Sequence, residues 1–231
     1  MHKQTRLAAL CAVVALAGTV LASAQTFVSP GVHPISGRRY AQTMSYLGAD
    51  WLDRAERVQE ENPEAALDAL KLAPGSTVAD VGAGSGYITV KMASRVGPTG
   101  VVYANDIQPQ MLSLLRQRLD REKISNVRLV LGTLDDPKLP PSEIDLILMV
   151  DVYHEFSQPQ GMLRRMRDAL KPGGRLVLLE YRKEDPTIPI RPDHKMSVAE
   201  AKMEVEAEGF TLSNVDERLP WQHILVFTRR D

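Results

Sequence analysis

The chain has 231 residues, 44% of them hydrophobic and 25% charged, an ordinary globular composition with length enough for one well-buried core. A formal net charge of -1, a pI near 6.5 and only 5% aromatic residues leave no basic excess to hold a phosphate backbone and little surface for base stacking. Nucleic acid is therefore not an expected partner.

The first two dozen residues stand apart. Met1 to Arg6 is short and basic, Leu7 to Ala22 is rich in Ala, Val and Leu, and Ala22-Ser23-Ala24 precedes Gln25. This is the order of a secretory signal, so residues 1–24 are expected to be removed and the protein exported, periplasmic or secreted. An uncleaved segment anchoring the chain in a membrane is the alternative. The apolar run is shorter than the roughly twenty residues that span a bilayer, and no membrane span is expected in the mature chain. Cys11 lies inside it, so cleavage would leave no cysteine for a disulfide, a zinc thiolate or a nucleophile.

Residues 25–48 form an expected extended arm, punctuated by Pro30-Gly31, Pro34 and Ser36-Gly37. Residues 49–231 form one domain. In its first part, 49–73, Trp51, Leu52, Ala55 and Val58 recur at helical spacing up to Glu61, and Pro63 opens a second helix to about Lys71. These helices are expected to pack over the mouth of the α/β region that begins at Pro74-Gly75.

Strand-length apolar runs and helix-length amphipathic runs then alternate. Strands are predicted at Thr77–Val81, Val101–Asp106, Val127–Leu131, Ile144–Val150 and Arg175–Tyr181, and helices at Tyr87–Val96, Pro109–Lys123 and Gln160–Leu170. A helix near Val198–Glu208, closed by Gly209, and strands near Thr211–Glu217 and His223–Arg229 complete the chain. The predicted fold is α/β: a Rossmann-like, seven-stranded, mostly parallel sheet with helices on both faces and an antiparallel C-terminal edge hairpin.

Asp80-Val81-Gly82-Ala83-Gly84-Ser85-Gly86 falls where the first strand turns into a helix. Glycines there admit positive φ and let the backbone approach a ligand closely. A dinucleotide fingerprint would need a third glycine three residues after Gly84, where Tyr87 stands, which argues against a nicotinamide oxidoreductase. With Leu170-Lys171-Pro172-Gly173-Gly174 ahead of the fifth strand, the chain from about Asp68 onward resembles the class I S-adenosylmethionine-dependent methyltransferases, above all the small-molecule branch that includes the ubiquinone and menaquinone enzymes.

That resemblance implies S-adenosyl-L-methionine as cofactor and a small-molecule methyl acceptor as partner. It implies that Asp80 lies by the methionine amino group and that Gly82, Gly84 and Gly86 shape the loop beneath the cofactor. Asp106, ending the second strand, would hold the ribose diol, with Ile107 packing on adenine; a helix-capping role ahead of Pro109 is the plainer reading of the same Asp106. Leu134 and Asp135 would reach the adenine edge, although two adjacent acids before Pro137 also suit a solvated turn.

Ligands of such sheets lie beyond the carboxyl ends of the strands, which turns attention to Asp151-Val152-Tyr153-His154-Glu155 after the fourth strand. Asp151 is assigned to the cofactor, Tyr153 to the substrate, and His154 and Glu155 to catalysis. His154 is suited to take an acceptor's proton, and equally to orient substrate or pack. Glu180, Arg182, Arg191 and His194 are the remaining candidate substrate lining. Asp151, His154, Glu155, Glu180 and His194 could converge on a metal, but their spacing fixes no coordination geometry and no metal is expected. An exported protein that binds the cofactor without transferring a methyl is the alternative function.

Overall fold

The computed structural model describes residues 31–230; the expected signal over 1–24 and the start of the arm lie outside the described residues. The sheet has seven strands, β1 (Thr77–Val81), β2 (Val101–Asp106), β3 (Val127–Leu131), β4 (Ile144–Val150), β5 (Leu170–Tyr181), β6 (Phe210–Asp216) and β7 (Gln222–Arg229), in the order β3-β2-β1-β4-β5-β7-β6. The first five pair in parallel, and β7 pairs antiparallel with both β5 and β6. The expected fold is thus the observed one, with the late hairpin at one edge.

Helix starts obey local chemistry. Ahead of β1 lie α1 (Arg57–Glu61) and α2 (Pro63–Leu70), and between the strands lie α3 (Tyr87–Val96), α4 (Pro109–Glu122), α5 (Pro159–Ala169) and α6 (Val198–Ala207). Proline opens α2, α4 and α5 at the first position, where a missing N–H costs nothing. A capping box between Ser197 and Glu200 opens α6. The strands alternate their side chains between two cores: Ala79, Val81, Ile147 and Met149 face α5 and α6, while Val78, Leu146 and Leu148 face α2 and α3.

Two expectations are corrected. The continuous helix over Ala49–Glu61 is instead a 3-10 segment, Tyr46–Asp53, a break at extended Arg54, and the short α1. Its predicted apolar stripe is not core: Trp51 is 45% and Val58 55% exposed, whereas the charged Arg57 and Glu61 are buried. Arg57 Nε donates to Glu61 Oε2 at 2.5 Å, and Arg54 bonds both Glu60 and Glu61. Ion pairs, with Arg57 at the cavity wall, stand where the apolar periodicity placed a core stripe. The second correction is that β5 begins at Leu170, which already pairs with Ile144; a register shift before Leu146 absorbs the turn residues Lys171 to Gly174.

The arm packs back on the domain. Val32 and Arg39 form an antiparallel bridge. Arg38 then enters the interior, its Nη2 2.8 Å from Glu204 Oε2 of α6 and its Nη1 donating to the His154 carbonyl at 3.0 Å.

Candidate active site

A cavity of about 390 Å³ opens beyond the carboxyl ends of β1, β2 and β4, the place where strand order reverses between β1 and β4 and where ligands of open α/β sheets bind. The Gly82 to Ser85 loop forms its floor. Gly82 and Ala83 N–H both donate to the Asn105 carbonyl at 2.9 Å, which bends the chain sharply off β1. Gly82 sits at φ +78, and a Cβ there would lie 2.4 Å from Val152 Cγ2. Gly86 is different: it does not line the cavity. At φ +89 it starts α3, and a Cβ would lie 2.1 Å from Leu115 Cδ1 of α4, so its glycine is demanded by helix packing.

Buried carboxylates surround this floor. Asp80 Oδ2 accepts from Thr89 Oγ1 at 2.6 Å. Burial raises the Asp80 pKa to about 6, although the Thr89 bond and the Arg57 charge pull the other way. Asp106 Oδ2 accepts from Gly84 N–H at 3.0 Å and Oδ1 from Gln108 N–H at 2.8 Å; burial raises its pKa against these bonds. Asp106 is thus not the cap of α4, whose N-cap is Gln108, but braces the glycine loop and the turn after β2 while lining the cavity. Asp151 stands at φ +53, uncommon for a residue with a side chain. Its Oδ2 accepts from Gln222 Nε2 at 2.7 Å, while Oδ1 is buried without a partner among the described residues. Burial, then the charges of Glu61 and Glu180, push its pKa well up.

His154, Glu155 and His194 form the opposite wall. His154 Nδ1 is 2.6 Å from Glu180 Oε2, and Glu180 Oε1 accepts from the Tyr153 N–H at 3.0 Å. The carboxylate fixes His154 with its proton on Nδ1, leaving Nε2 toward the cavity, 3.2 Å from His194 Nδ1. Burial alone would lower the His154 pKa, but the charge and hydrogen bond of Glu180, with Glu155 and Asp151, raise it. Burial raises Glu155 to about 7 despite the neighbouring imidazole. Its Oε1 accepts from Met44 N–H at 3.3 Å, which ties the arm to the site.

Not every expected residue lines the cavity. Asp80, Gly82, Gly84, Asp106, Ile107, Leu134, Asp151, His154, Glu155, Arg191 and His194 do. Asp135 points away and accepts from Thr133 Oγ1, while Thr133 and Leu134 face inward. Tyr153 is buried in the core beside Arg38 and Glu204. Glu180 lies behind His154 in the interior. Arg182 is held by Glu217 and by the Leu219 and Pro220 carbonyls, bracing the β6–β7 connection. Alternation along β5 and the run after it could not tell these faces from the cavity's.

The N-terminal part, expected to pack over the mouth, completes the walls, and Arg57 and Gln108 are among the lining residues that sequence reasoning passed over. Trp51, Leu52 and Arg57 line the cavity, and Arg54 stacks on Trp51 with Cζ 3.6 Å from the ring centre. Gln108 donates to the Met44 carbonyl and accepts from Tyr46 N–H, both at 2.9 Å, clasping the arm over the end of β2. The i, i+4 spacing of Arg57 and Glu61 was legible as a helix pair; nothing in sequence marked Gln108.

A Rossmann-like sheet with a glycine loop after β1 and an acid ending β2 defines the class I S-adenosyl-L-methionine-dependent methyltransferase architecture. A sequence profile for a methyltransferase domain matches residues 72–224, and the chain belongs to that family. It is 38% identical over 111 residues to the ubiquinone/menaquinone biosynthesis C-methyltransferase UbiE of Ectopseudomonas mendocina (strain ymp), covering 48% of this chain and 43% of that protein. The same enzyme of Shewanella oneidensis is 35% identical over 111 residues, 48% of this chain and 44% of the relative. The chain thus spans less than half the length of these curated relatives. Among solved structures, a SAM-dependent methyltransferase from Aquifex aeolicus superposes with a TM-score of 0.76 at 26% identity, covering 81% of this chain and all of that one. A TehB-like SAM-dependent methyltransferase from Corynebacterium glutamicum shares the fold at TM-score 0.60 and 17% identity.

The cofactor of this domain is S-adenosyl-L-methionine. The residues present fit it: buried carboxylates at Asp80 and Asp106 and, among the described residues, an unpartnered buried oxygen on Asp151.

Proposed function

We propose that this protein transfers a methyl group from S-adenosyl-L-methionine to a small-molecule acceptor whose reacting atom lies against His154 and Glu155. The observation that carries this reading is the convergence, in one cavity of about 390 Å³, of the Gly82 to Ser85 floor, Asp106, and the polar wall of His154, Glu155 and His194. Within it, Asp80 is assigned to the cofactor's amino group, Asp106 to the ribose, and Ile107 and Leu134 to the adenine. Bound there, the cofactor supplies a methyl group made electrophilic by a sulfonium. The protein's part is to align the acceptor, exclude water with the end of the arm and the 3-10 segment Tyr46–Asp53, and provide for the acceptor's proton where there is one.

Support for a small acceptor comes from the covered cavity, with Trp51, Leu52, Phe156 and Ile190 giving part of the wall an apolar character. The UbiE relatives are named for ubiquinone and menaquinone biosynthesis, and the class carried over from them is a small, partly apolar acceptor. Titration with S-adenosylmethionine, S-adenosylhomocysteine and NADH tests the cofactor assignment. The two sulfur compounds bind and NADH does not; equal binding of NADH, or none by the sulfur compounds, overturns it.

Export belongs to the same proposal. It rests on the basic, apolar and small-residue order of residues 1–24. Among the described residues no helix is long and apolar enough to cross a membrane. Sequencing the mature N-terminus from the native host is expected to begin at Gln25; a retained Met1 removes the export proposal and leaves the enzymatic one untouched.

A further inference from the structure

We propose that His154 Nε2, His194 Nδ1 and the Glu155 carboxylate bind a divalent transition metal of the zinc class, whose open position faces the cavity and takes the acceptor's oxygen or sulfur. This rests on the methyltransferase reading above and adds to it the means by which the acceptor is activated.

The two imidazole nitrogens stand 3.2 Å apart, with ring centres 5.0 Å apart and planes at 72°. Two imidazoles on one tetrahedral zinc, at about 2.05 Å each, place their nitrogens about 3.3 Å apart, so the observed gap needs no rearrangement. A Glu155 oxygen and one ring nitrogen from each histidine all lie within 4.8 Å of one another. That carboxylate is loosely held, accepting only the long Met44 bond among the described residues, so a side-chain rotation brings it onto the ion.

The support behind His154 is that of a metal-ligating histidine. Glu180, wholly buried, accepts from Nδ1 at 2.6 Å and is itself anchored by the Tyr153 N–H. Such a carboxylate fixes the tautomer, aims the free nitrogen at the ion and strengthens it as a donor. Three protein ligands with a fourth position open to a cavity is the pattern of a catalytic site, where a closed structural site would have four. The donor set, two imidazoles and one carboxylate, suits zinc, cobalt or iron rather than magnesium or calcium, which take oxygen ligands.

Such an ion lowers the pKa of an O–H or S–H bound to it. The acceptor's proton passes to solvent. The freed lone pair then forms the new bond to the methyl carbon as the carbon–sulfur bond breaks, its electron pair remaining on sulfur. The site therefore favours oxygen and sulfur acceptors over carbon.

The test is titration of the purified full-length protein with Co²⁺, monitored by visible absorption, with Zn²⁺ binding measured calorimetrically on the same preparation. One equivalent is expected, with the absorption of a low-coordinate site. His194→Ala removes a half-buried ligand from a loop, leaves the fold intact by thermal melting, and abolishes the band. Glu180→Gln keeps the band but weakens binding about 10–100-fold, as loss of an outer partner does. Absence of a band, or a band surviving in His194→Ala, overturns the proposal. Titration with S-adenosylhomocysteine in parallel separates the two readings: binding of that compound without metal binding defeats this inference alone, and metal binding without it defeats the cofactor reading alone.

Discussion

Single side chains carry the sharpest consequences. Asp80 has its pKa raised by burial from 3.8 to about 6. Because the folded value is the higher one, the associated stability is fully present below the unfolded pKa and is lost as pH rises through about 6, a difference of about 3 kcal/mol. Glu155, raised to about 7, and His154, also raised, act with the same sign. The cofactor-free protein is therefore expected to resist urea better at pH 5.5 than at pH 8. Affinity for the cationic cofactor moves the opposite way and rises through pH 6 as Asp80 ionises; calorimetry across that range, showing proton release at its acid end, checks this. Asp106→Asn keeps the side chain's shape but faces an amide toward Gly84 N–H, and binding of S-adenosylhomocysteine should weaken about 10–100-fold for one lost charge-assisted bond.

At the scale of elements, the arm and the glycine loop are held by packing whose cost can be measured. Arg38→Ala leaves Glu204 in the interior without its bidentate partner, with the Ser36 hydroxyl, His33 and Tyr153 still beside it. Loss of one partner of a buried pair costs about 3–5 kcal/mol, visible as a lower urea midpoint and faster proteolysis over residues 31–45. Gly86→Ala meets both a positive φ and Leu115, and is expected to lose about 2 kcal/mol or more of stability although it touches no ligand. Both variants separate the scaffold's needs from the cofactor's, which the run Gly82-Ala83-Gly84-Ser85-Gly86 does not do by itself. The same elements show where reading the chain failed. Trp51, Leu52, Ala55 and Val58 had helical spacing, yet buried ion pairs of Arg54 and Arg57 with Glu60 and Glu61 set the local conformation.

For the molecule as a whole, a compound that binds the folded state at a hundred times its dissociation constant stabilises it by about 2.7 kcal/mol. For a domain this size that is a rise in Tm of about 5–10 °C, expected with S-adenosylhomocysteine and absent with NADH. The strand boundaries of β1 to β4 and the order of elements were legible in the sequence, because the inner strands β1, β2 and β4 read as nearly continuous apolar runs, the half-exposed edge strand β3 is β-branched and Leu-rich, and glycine and proline mark strand ends. So were the strand-end acids Asp80, Asp106 and Asp151, since strand ends in such sheets point at one cavity. The sequence could not decide which way residues beyond the strands face. Tyr153 and Glu180 turned into the structure, Arg182 was taken up by the β6–β7 connection, Asp135 turned outward, and His194 came from forty residues away to stand 3.2 Å from His154. Those orientations are set by contacts distant along the chain, between β5, the loop before α6 and the arm, and only the folded molecule brings them together.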